Sequence, residues 1–374
     1  MKVRLERERA LIMHIPDGYL SPSTCLVMYG ASAPVWAVAL RRVKRVFNTR
    51  LIPLLSVVSA FSFVIMMFNV PLPGGTTGHA VGMGVAAVVL GPWASTLAIS
   101  IAIFIQAIFF GDGGITTFGA NCFNMAIVGS LVAYLVYRAV AGRAALTSSR
   151  RVIAAATAGY LAINTAALCA AVELGVQPAL FKTAAGAPLY APYPLHIAVP
   201  AMMIGHLTFA GLTELVISGS VVAYLQRTNP EMLRQTAPGA RAVAEKTVGL
   251  KHGWGATRPL WTGVALLMIL APLGILAAGA AWGEWPARDF SNPAARQQIM
   301  AASNRHAPPV RAPRGLEHLS SLWSAPFPRY SPPFVHQRFF GYFMSAVFGA
   351  GLILAIFLIV SWTSLKQWRV TDEK

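Results

Sequence analysis

Long uncharged stretches of apolar residues alternate along this chain with short segments that hold most of its arginine and lysine. A helix needs about 20 consecutive apolar residues to cross the hydrocarbon core of a bilayer. Nine stretches are candidates for such crossings: Leu20–Leu40, Leu51–Val70, Ala80–Leu90, Pro92–Phe110, Phe118–Tyr137, Val152–Val172, His196–Leu225, Pro259–Trp282 and Phe339–Leu365. Ala80–Leu90 is much shorter than the others, so we expect a helix whose outer end lies below the membrane surface. The pattern predicts an all-α, polytopic integral membrane protein with about nine transmembrane helices.

The basic residues follow the first, fifth, seventh and ninth stretches, in segments 41–50, 138–151, 226–258 and 366–374. Short cytoplasmic loops of membrane proteins are enriched in arginine and lysine. Nine crossings put these four segments on one side of the membrane, with Met13 outside and Lys374 inside. The arginine-containing segment 283–338 is long enough to lie outside regardless of its charge. We therefore expect a multi-pass cell-membrane protein with a cytoplasmic carboxyl terminus.

Composition and motifs narrow the class of function. Of the 374 residues, 56% are hydrophobic and only 11% are charged, as expected for a membrane protein. The net charge of +17 lies mainly between the apolar stretches, so it indicates membrane topology and contact with lipid, not nucleic-acid binding. The chain has no G-x-x-x-x-G-K-S/T, H-E-x-x-H or G-x-S-x-G motif, so we expect no ATP hydrolysis and no catalytic cofactor. Its three cysteines, Cys25, Cys122 and Cys169, are predicted to be buried thiols.

Polar residues gather on the predicted outer face at Met13–Gly18, before His79, at Gly111–Thr117 and at Glu173–Pro194. Proline restricts φ and glycine permits positive φ, so the segment after His14 should turn sharply and hold that side chain in a defined place. Histidine is the commonest nitrogen ligand of metals, and His14 and His79 are candidates to bind one ion. The alternatives are an ordinary interfacial turn and two hydrogen-bonded histidines with structural roles.

A chain that started at Met13 would offer a stronger metal site. Its free amine, the amide nitrogen of His14 and the Nδ1 atom of His14 can chelate one ion in adjacent five- and six-membered rings. His79 would then supply a fourth nitrogen, and four nitrogens in a plane suit Ni²⁺ or Cu²⁺. We therefore expect the functional chain to begin at Met13, with residues 1–12 an extension of doubtful translation.

Three segments resemble motifs of one family. MHIPDGYLSP at Met13–Pro22, the segment Pro73–Gly91 and the segment Gly111–Gly129 are similar to the metal-specific membrane subunit of cobalt and nickel energy-coupling-factor transporters. The resemblance covers about Met13–Leu225 and implies a seven-span substrate-capture domain for Ni²⁺ or Co²⁺. It implies Met13, His14 and His79 as the metal ligands. It also implies a separate transmembrane coupling subunit and ATP-binding-cassette ATPase subunits as partners.

A second, weaker resemblance lies near the carboxyl end. Leu270–Trp285, Arg314–Glu317 and Ala325–Pro333 are similar to the small two-span accessory subunit of nickel and cobalt systems. The implied organisation is a domain at 13–225, a basic cytoplasmic linker at 226–258 and an accessory domain at 259–374 with an outer loop at 283–338. Because all proposed ligands precede the linker, we expect the accessory domain to be needed for transport but not for metal binding.

Several other polar residues are candidates for supporting roles. Asp17 is a candidate to hydrogen-bond a ligand histidine or to act only as a turn former. Asn121 and Asn124 are candidates to support the site by ordering the outer loops, or to form helix-to-helix hydrogen bonds. Glu214 and His206 lie within the seventh stretch, and we interpret both as structural polar contacts.

Two other classes of function stay open. An ion-coupled secondary transporter for a divalent metal would tend to show internal repeats, and none is clear. A membrane-embedded metalloenzyme would need an acidic base near an open metal position, for which only Asp17, Asp112 and Glu173 are available on the outer face. The residues do not distinguish nickel from cobalt.

Overall fold

The computed structural model describes residues 14–45, 51–240, 254–277 and 279–372. Its helices are α1 (Pro22–Arg45), α2 (Leu51–Ile65), α3 (Met83–Leu90), α4 (Pro92–Phe110), α5 (Phe118–Ala141), α6 (Ser149–Leu180), α7 (Leu195–Thr228), α8 (Trp254–Leu270), α9 (Pro293–Ala302), α10 (Arg314–Leu319) and α11 (Arg338–Asp372). A hairpin of two short strands, β1 (Val70–Leu72) and β2 (Thr76–Gly78), is added to them. Met13, residues 1–12 and the middle of the predicted linker lie outside the described residues.

Seven helical segments in the described ranges are long and apolar enough to cross a membrane. They are Pro22–Lys44, Pro92–Phe110, Phe118–Ala141, Ser149–Leu180, Leu195–Thr228, Thr257–Leu276 and Arg338–Trp362. They confirm the prediction of a helical, multi-pass membrane protein. Large apolar side chains such as Leu26, Leu135 and Ile153 are more than half exposed on these helices, as expected where a protein meets lipid.

The second and third predicted crossings are shorter than the sequence indicated. α2 has 15 residues, and α3 has only eight, all of them buried. At 1.5 Å per residue α3 is about 12 Å long, which is less than half of the hydrocarbon core. It is therefore an internal helix surrounded by protein, and it begins directly after the loop that carries His79.

The core forms where small residues let helices approach closely. α6 lies against α3, α5 and α7, and its buried face is rich in alanine and glycine. A Cβ atom placed on Gly84 of α3 or on Gly159 of α6 would lie 2.3 or 2.4 Å from Ser218 Oγ of α7. Such contacts exclude larger side chains and bring α3, α6 and α7 close together.

Three of the membrane-crossing helices contain a π-helical turn, at Gln106–Phe110 in α4, Cys122–Gly129 in α5 and His206–Ala210 in α7. π turns within α-helices frequently occur at functional sites. Gln106, Asn124 and His206 lie in these three turns. Asn124 and His206 line the same cavity as His14 and His79, and Gln106 donates a hydrogen bond to Tyr330.

The carboxyl-terminal part packs against the outside of this bundle. α8 and α11 both contact α2, and Tyr342 of α11 donates a hydrogen bond to the carbonyl oxygen of Met67 at 2.8 Å. The chain between α8 and α11 covers the loops at one end of the bundle. Trp323 and Phe327 there donate to the carbonyl oxygens of Ile108 and Phe109, both at 2.9 Å.

Candidate metal site

His14 is held by the peptide that follows it. The Ile15 amide donates to Asn121 Oδ1 at 3.1 Å, and Asn121 Nδ2 donates back to the Ile15 carbonyl at 3.0 Å. The same carbonyl accepts from the amide of Gly114 at 3.0 Å. One asparagine of α5 and one glycine of the loop after α4 thus position the His14 backbone. The side chain is only 2% exposed.

Asp17 joins the amino-terminal turn to the loop after α4. Its carboxylate accepts from the amides of Ile115 at 3.2 Å and Thr116 at 2.8 Å, and also from the Thr116 hydroxyl. A Cβ atom on Gly114 would lie 2.3 Å from Asp17 Oδ1, so only glycine fits there. The described contacts of Asp17 are therefore with this loop, and the carboxylate that contacts His14 is a different one.

That carboxylate belongs to Asp112. His14 Nδ1 lies 3.0 Å from Asp112 Oδ1, and both side chains are fully buried. The Tyr330 hydroxyl, from the chain between α8 and α11, donates to Asp112 Oδ2 at 2.6 Å and accepts from Gln106 Nε2 at 2.9 Å. A carboxylate that binds Nδ1–H leaves the lone pair of the histidine on Nε2, the usual arrangement behind a metal ligand. His14 Nε2 is buried and has no hydrogen-bond partner within the described part of the chain.

His79 lies beside His14, with ring centroids 5.2 Å apart and an interplanar angle of 54°. Its Nδ1 donates to the carbonyl oxygen of Ala80 at 2.9 Å, which places the lone pair of this ring on Nε2 as well. With metal–nitrogen bonds of about 2 Å, two imidazoles on one ion have centroids roughly 4.5–6.5 Å apart. The separation of the two rings is therefore suitable for a shared ion.

Glu214 of α7 explains why the His79 loop is well ordered. Its carboxylate accepts from the amides of Val81 at 2.8 Å, Gly82 at 2.9 Å and Gly84 at 3.3 Å. These amides lie just before and in the first turn of α3, where amides have no partner within the helix, and an acidic group there also interacts favourably with the helix dipole. Glu214 thus has the structural contact expected from the sequence. His206 Nδ1 donates to the Met202 carbonyl at 2.9 Å.

A cavity of about 90 Å³ lies between these groups. Its polar lining includes His14, His79, Asn121, Asn124, His206 and Glu284, and the rest is mostly aliphatic. Asn124 Nδ2 donates to Glu173 Oε2 at 3.0 Å, which leaves the Asn124 Oδ1 atom buried and unpaired. One water occupies about 30 Å³ of liquid, so the cavity has room for an ion with one or two waters.

Among the described residues, Glu284 is the one acidic side chain in this lining, and nothing in its local sequence points to this position. It is 6% exposed, and its Oε2 atom has no partner among the described residues. Burial, together with the nearby charge of Asp112, raises the pKa of Glu284 well above its ordinary value.

The structure brings together two of the three predicted metal ligands, His14 and His79, and the third, Met13, lies outside the described residues. Within the described ranges, no three His, Cys, Asp or Glu side chains are arranged as a ready-made ligand set. Cys25 and Cys122 are buried and Cys169 is partly buried, all as free thiols. Asp112 was considered only as a possible base of a metalloenzyme, and Glu284 and Tyr330 were missed, because the sequence gives no indication that segments so far apart meet at one cavity.

The family, the relatives and the solved structure that match this chain all concern metal uptake or transport. Residues 14–232 match the family described as the cobalt uptake substrate-specific transmembrane region. The chain is 55% identical over 343 residues to the fused nickel transport protein NikMN of Rhodobacter capsulatus, covering 92% of this chain and 95% of that protein. It is 42% identical to the probable fused nickel transport protein LarMN of Lactiplantibacillus plantarum, with 82% and 85% covered. A crystal structure of a truncated transition metal transporter is 52% identical, with a TM-score of 0.54, and covers 57% of this chain and 99% of that one.

Proposed function

This chain belongs to the cobalt-uptake substrate-specific transmembrane family, whose members serve nickel and cobalt uptake, and we propose that its cavity captures Ni²⁺ through His14 and His79. It is the substrate-capture component of an energy-coupling-factor transporter, not an enzyme. Nickel is favoured over cobalt because both fused relatives that match most of the chain are named nickel transport proteins.

The observation that carries the proposal is the pair of buried imidazoles beside one cavity. Both rings have their Nδ1 atoms engaged, by Asp112 and by the Ala80 carbonyl, so the remaining ring nitrogens carry lone pairs. Imidazole nitrogen is a good donor for Ni²⁺ and Co²⁺. The Asp112 carboxylate behind His14 adds the negative charge that a buried divalent ion requires.

We further propose that Met13 completes the ligand set through its amine, with the amide nitrogen and Nδ1 of His14. In that planar set Nδ1 of His14 would bind the ion in place of its contact with Asp112, whereas the histidine pair alone would use Nε2. Asp112 keeps its bond from Tyr330 and remains as a buried carboxylate beside the cation. This set requires a free amine at Met13, so the metal-binding form of the protein begins there.

The remaining organisation is proposed from the sequence and its resemblance. The metal site faces outside, the carboxyl terminus is cytoplasmic, and ATP is hydrolysed by partner ATPases acting through a transmembrane coupling subunit. Residues 13–225 form the capture domain and 259–374 the accessory domain. The start of the proposed linker packs on the bundle, since Pro230–Thr236 forms a short helix and the Thr236 hydroxyl donates to the Val88 carbonyl.

Calorimetric titration with Ni²⁺ tests the site. His14→Ala and His79→Ala should each abolish high-affinity binding, and His196→Ala, which removes an exposed histidine, should bind as the parent does. Unchanged binding in either of the first two variants would remove that residue from the ligand set.

Nickel uptake by cells tests the transport mechanism. Uptake should require the ATPase partners and should not follow an ion gradient. Uptake that persists without those partners would favour the alternative, an ion-coupled secondary transporter.

A further inference from the structure

The chain that leaves α8 forms one wall of the metal cavity. The Thr77 amide of β2 donates to the Ala280 carbonyl at 3.2 Å, and the Thr77 hydroxyl donates to the Gly279 carbonyl at 3.3 Å. A few residues later the Trp285 carbonyl accepts from the Tyr19 hydroxyl at 2.6 Å. The backbone is therefore attached to the His79 loop on one side of Glu284 and to the amino-terminal turn on the other.

Glu284 lies between these two attachments, in the same cavity lining as His14 and His79. Among the described residues, no lysine or arginine lines this cavity. A buried carboxyl group without a cationic partner is unfavourable for folding, so its presence at this place calls for a functional explanation.

Among the described residues, the lining atoms without a hydrogen-bond partner are all oxygen or nitrogen atoms that can face a cation once Glu284 is ionised. They are Glu284 Oε2, Asn124 Oδ1 and His14 Nε2, whose ring proton is on Nδ1 toward Asp112. Each of the three is buried and has no hydrogen-bond partner in the described part of the chain. Carboxylate and amide oxygens and an imidazole nitrogen suit a cation and the waters bound to it.

We propose that Glu284 is a carboxylate of the metal site, supplied by the accessory domain, which compensates the charge of the bound Ni²⁺ through the water in the cavity. This role rests on the proposed function, since it takes the ion at His14 and His79 as its premise. Glu284 then acts on the bound ion through water, and the accessory domain forms part of the binding site. The sequence had led us to expect that this domain is not needed for binding.

The test compares the full chain in detergent with Glu284→Gln, Glu284→Asp and the matched control Glu317→Gln, which neutralises an exposed carboxylate in the same outer segment. Glu284→Gln should weaken Ni²⁺ binding by about 10- to 100-fold, the range found when groups behind metal ligands are removed. Glu284→Asp keeps the charge and should retain most of the affinity. Glu317→Gln should bind as the parent does.

Thermal unfolding without metal separates this role from a structural one. Glu284→Gln removes an unpaired buried carboxyl group, so the metal-free variant should melt at or above the temperature of the parent. A lower melting temperature without metal, or equal loss of affinity in Glu284→Gln and Glu284→Asp, would overturn the proposal.

His79→Ala in the same series distinguishes the two claims. Unchanged Ni²⁺ affinity in Glu284→Gln, with loss in His79→Ala, would overturn the role of Glu284 alone. Unchanged affinity in both variants would overturn the proposed metal site as well.

Discussion

Tyr330→Phe isolates the connection between the accessory domain and His14. The hydroxyl is the only group removed, and it is the donor to Asp112 Oδ2 and the acceptor from Gln106 Nε2. Tyr330 is 2% exposed and its ring stacks on Phe110 with centroids 4.7 Å apart, so phenylalanine should keep the packing. Burial and the adjacent charge of Asp112 raise the pKa of Tyr330 well above its ordinary value, so the hydroxyl is a donor throughout the physiological range.

The expected effects follow from these two bonds. A hydrogen bond to a charged group contributes about 1.5–3 kcal/mol, and a buried donor left unpaired adds about 1–3 kcal/mol. Part of this loss falls on the Asp112 carboxylate, which becomes less well held beside the proposed ion. We expect Ni²⁺ affinity to fall by about tenfold, the lower end of the range for groups behind a metal ligand, because Tyr330 acts one residue further away.

Tyr342→Phe is the matched control for this experiment. Tyr342 is equally buried, its ring lies 5.3 Å from that of Tyr330, and its hydroxyl donates to a backbone carbonyl, that of Met67. The control should lower the melting temperature of the protein without changing its affinity for Ni²⁺, as measured by calorimetry. Equal affinity in both variants would refute the reasoning, since the hydroxyl on Asp112 would then have no effect at the site.

Three further changes give distinct outcomes. Gly114→Ala should destabilise the fold by about 1–3 kcal/mol, because its Cβ would lie 2.3 Å from Asp17 Oδ1. The control is Gly263→Ala, whose Cβ would have nothing within 4 Å and which should be neutral. Equal melting temperatures in the two variants would argue against the tight turn. A chain that ends after Leu250 lacks Glu284 and Tyr330 and should bind Ni²⁺ more weakly than the full chain by calorimetry; full affinity would show that the accessory domain has no part in binding. A chain that starts at Met13 should bind Ni²⁺ more tightly than one that carries Met13→Leu and retains residues 1–12, verified by mass, and equal affinities would exclude the amine as a ligand.

The membrane character of the protein could be predicted because it depends on composition along single stretches. Helices such as α4 and α6 are continuous apolar segments of adequate length, and their existence needs no knowledge of their neighbours. The eleven-residue stretch at Ala80–Leu90 was recognised as short but still counted among the nine crossings, and the structure has there the eight-residue buried helix α3. The hairpin before His79 was not predicted, because its strands of three residues each depend on pairing with one another and on the chain after α8.

The metal site was predictable only in part, for a related reason. His14 and His79 are rare polar residues beside turn-forming glycines and prolines, so residue type alone made them candidates. Asp112 was considered only as a possible base of a metalloenzyme, and its contact with His14 spans 98 positions of the chain. Glu284 cannot be distinguished from Glu317 by local sequence, yet one is buried at the cavity and the other is exposed. Burial of this kind is a property of the tertiary fold.

Anomalous diffraction at the nickel absorption edge, from crystals of the chain grown with Ni²⁺, tests most directly whether His14 and His79 bind the ion. If His14 and His79 share one ion, we expect one strong peak in the cavity, within about 2 Å of a ring nitrogen of both residues. A peak bound elsewhere on the protein, or a cavity without nickel under conditions that saturate binding in solution, would contradict it.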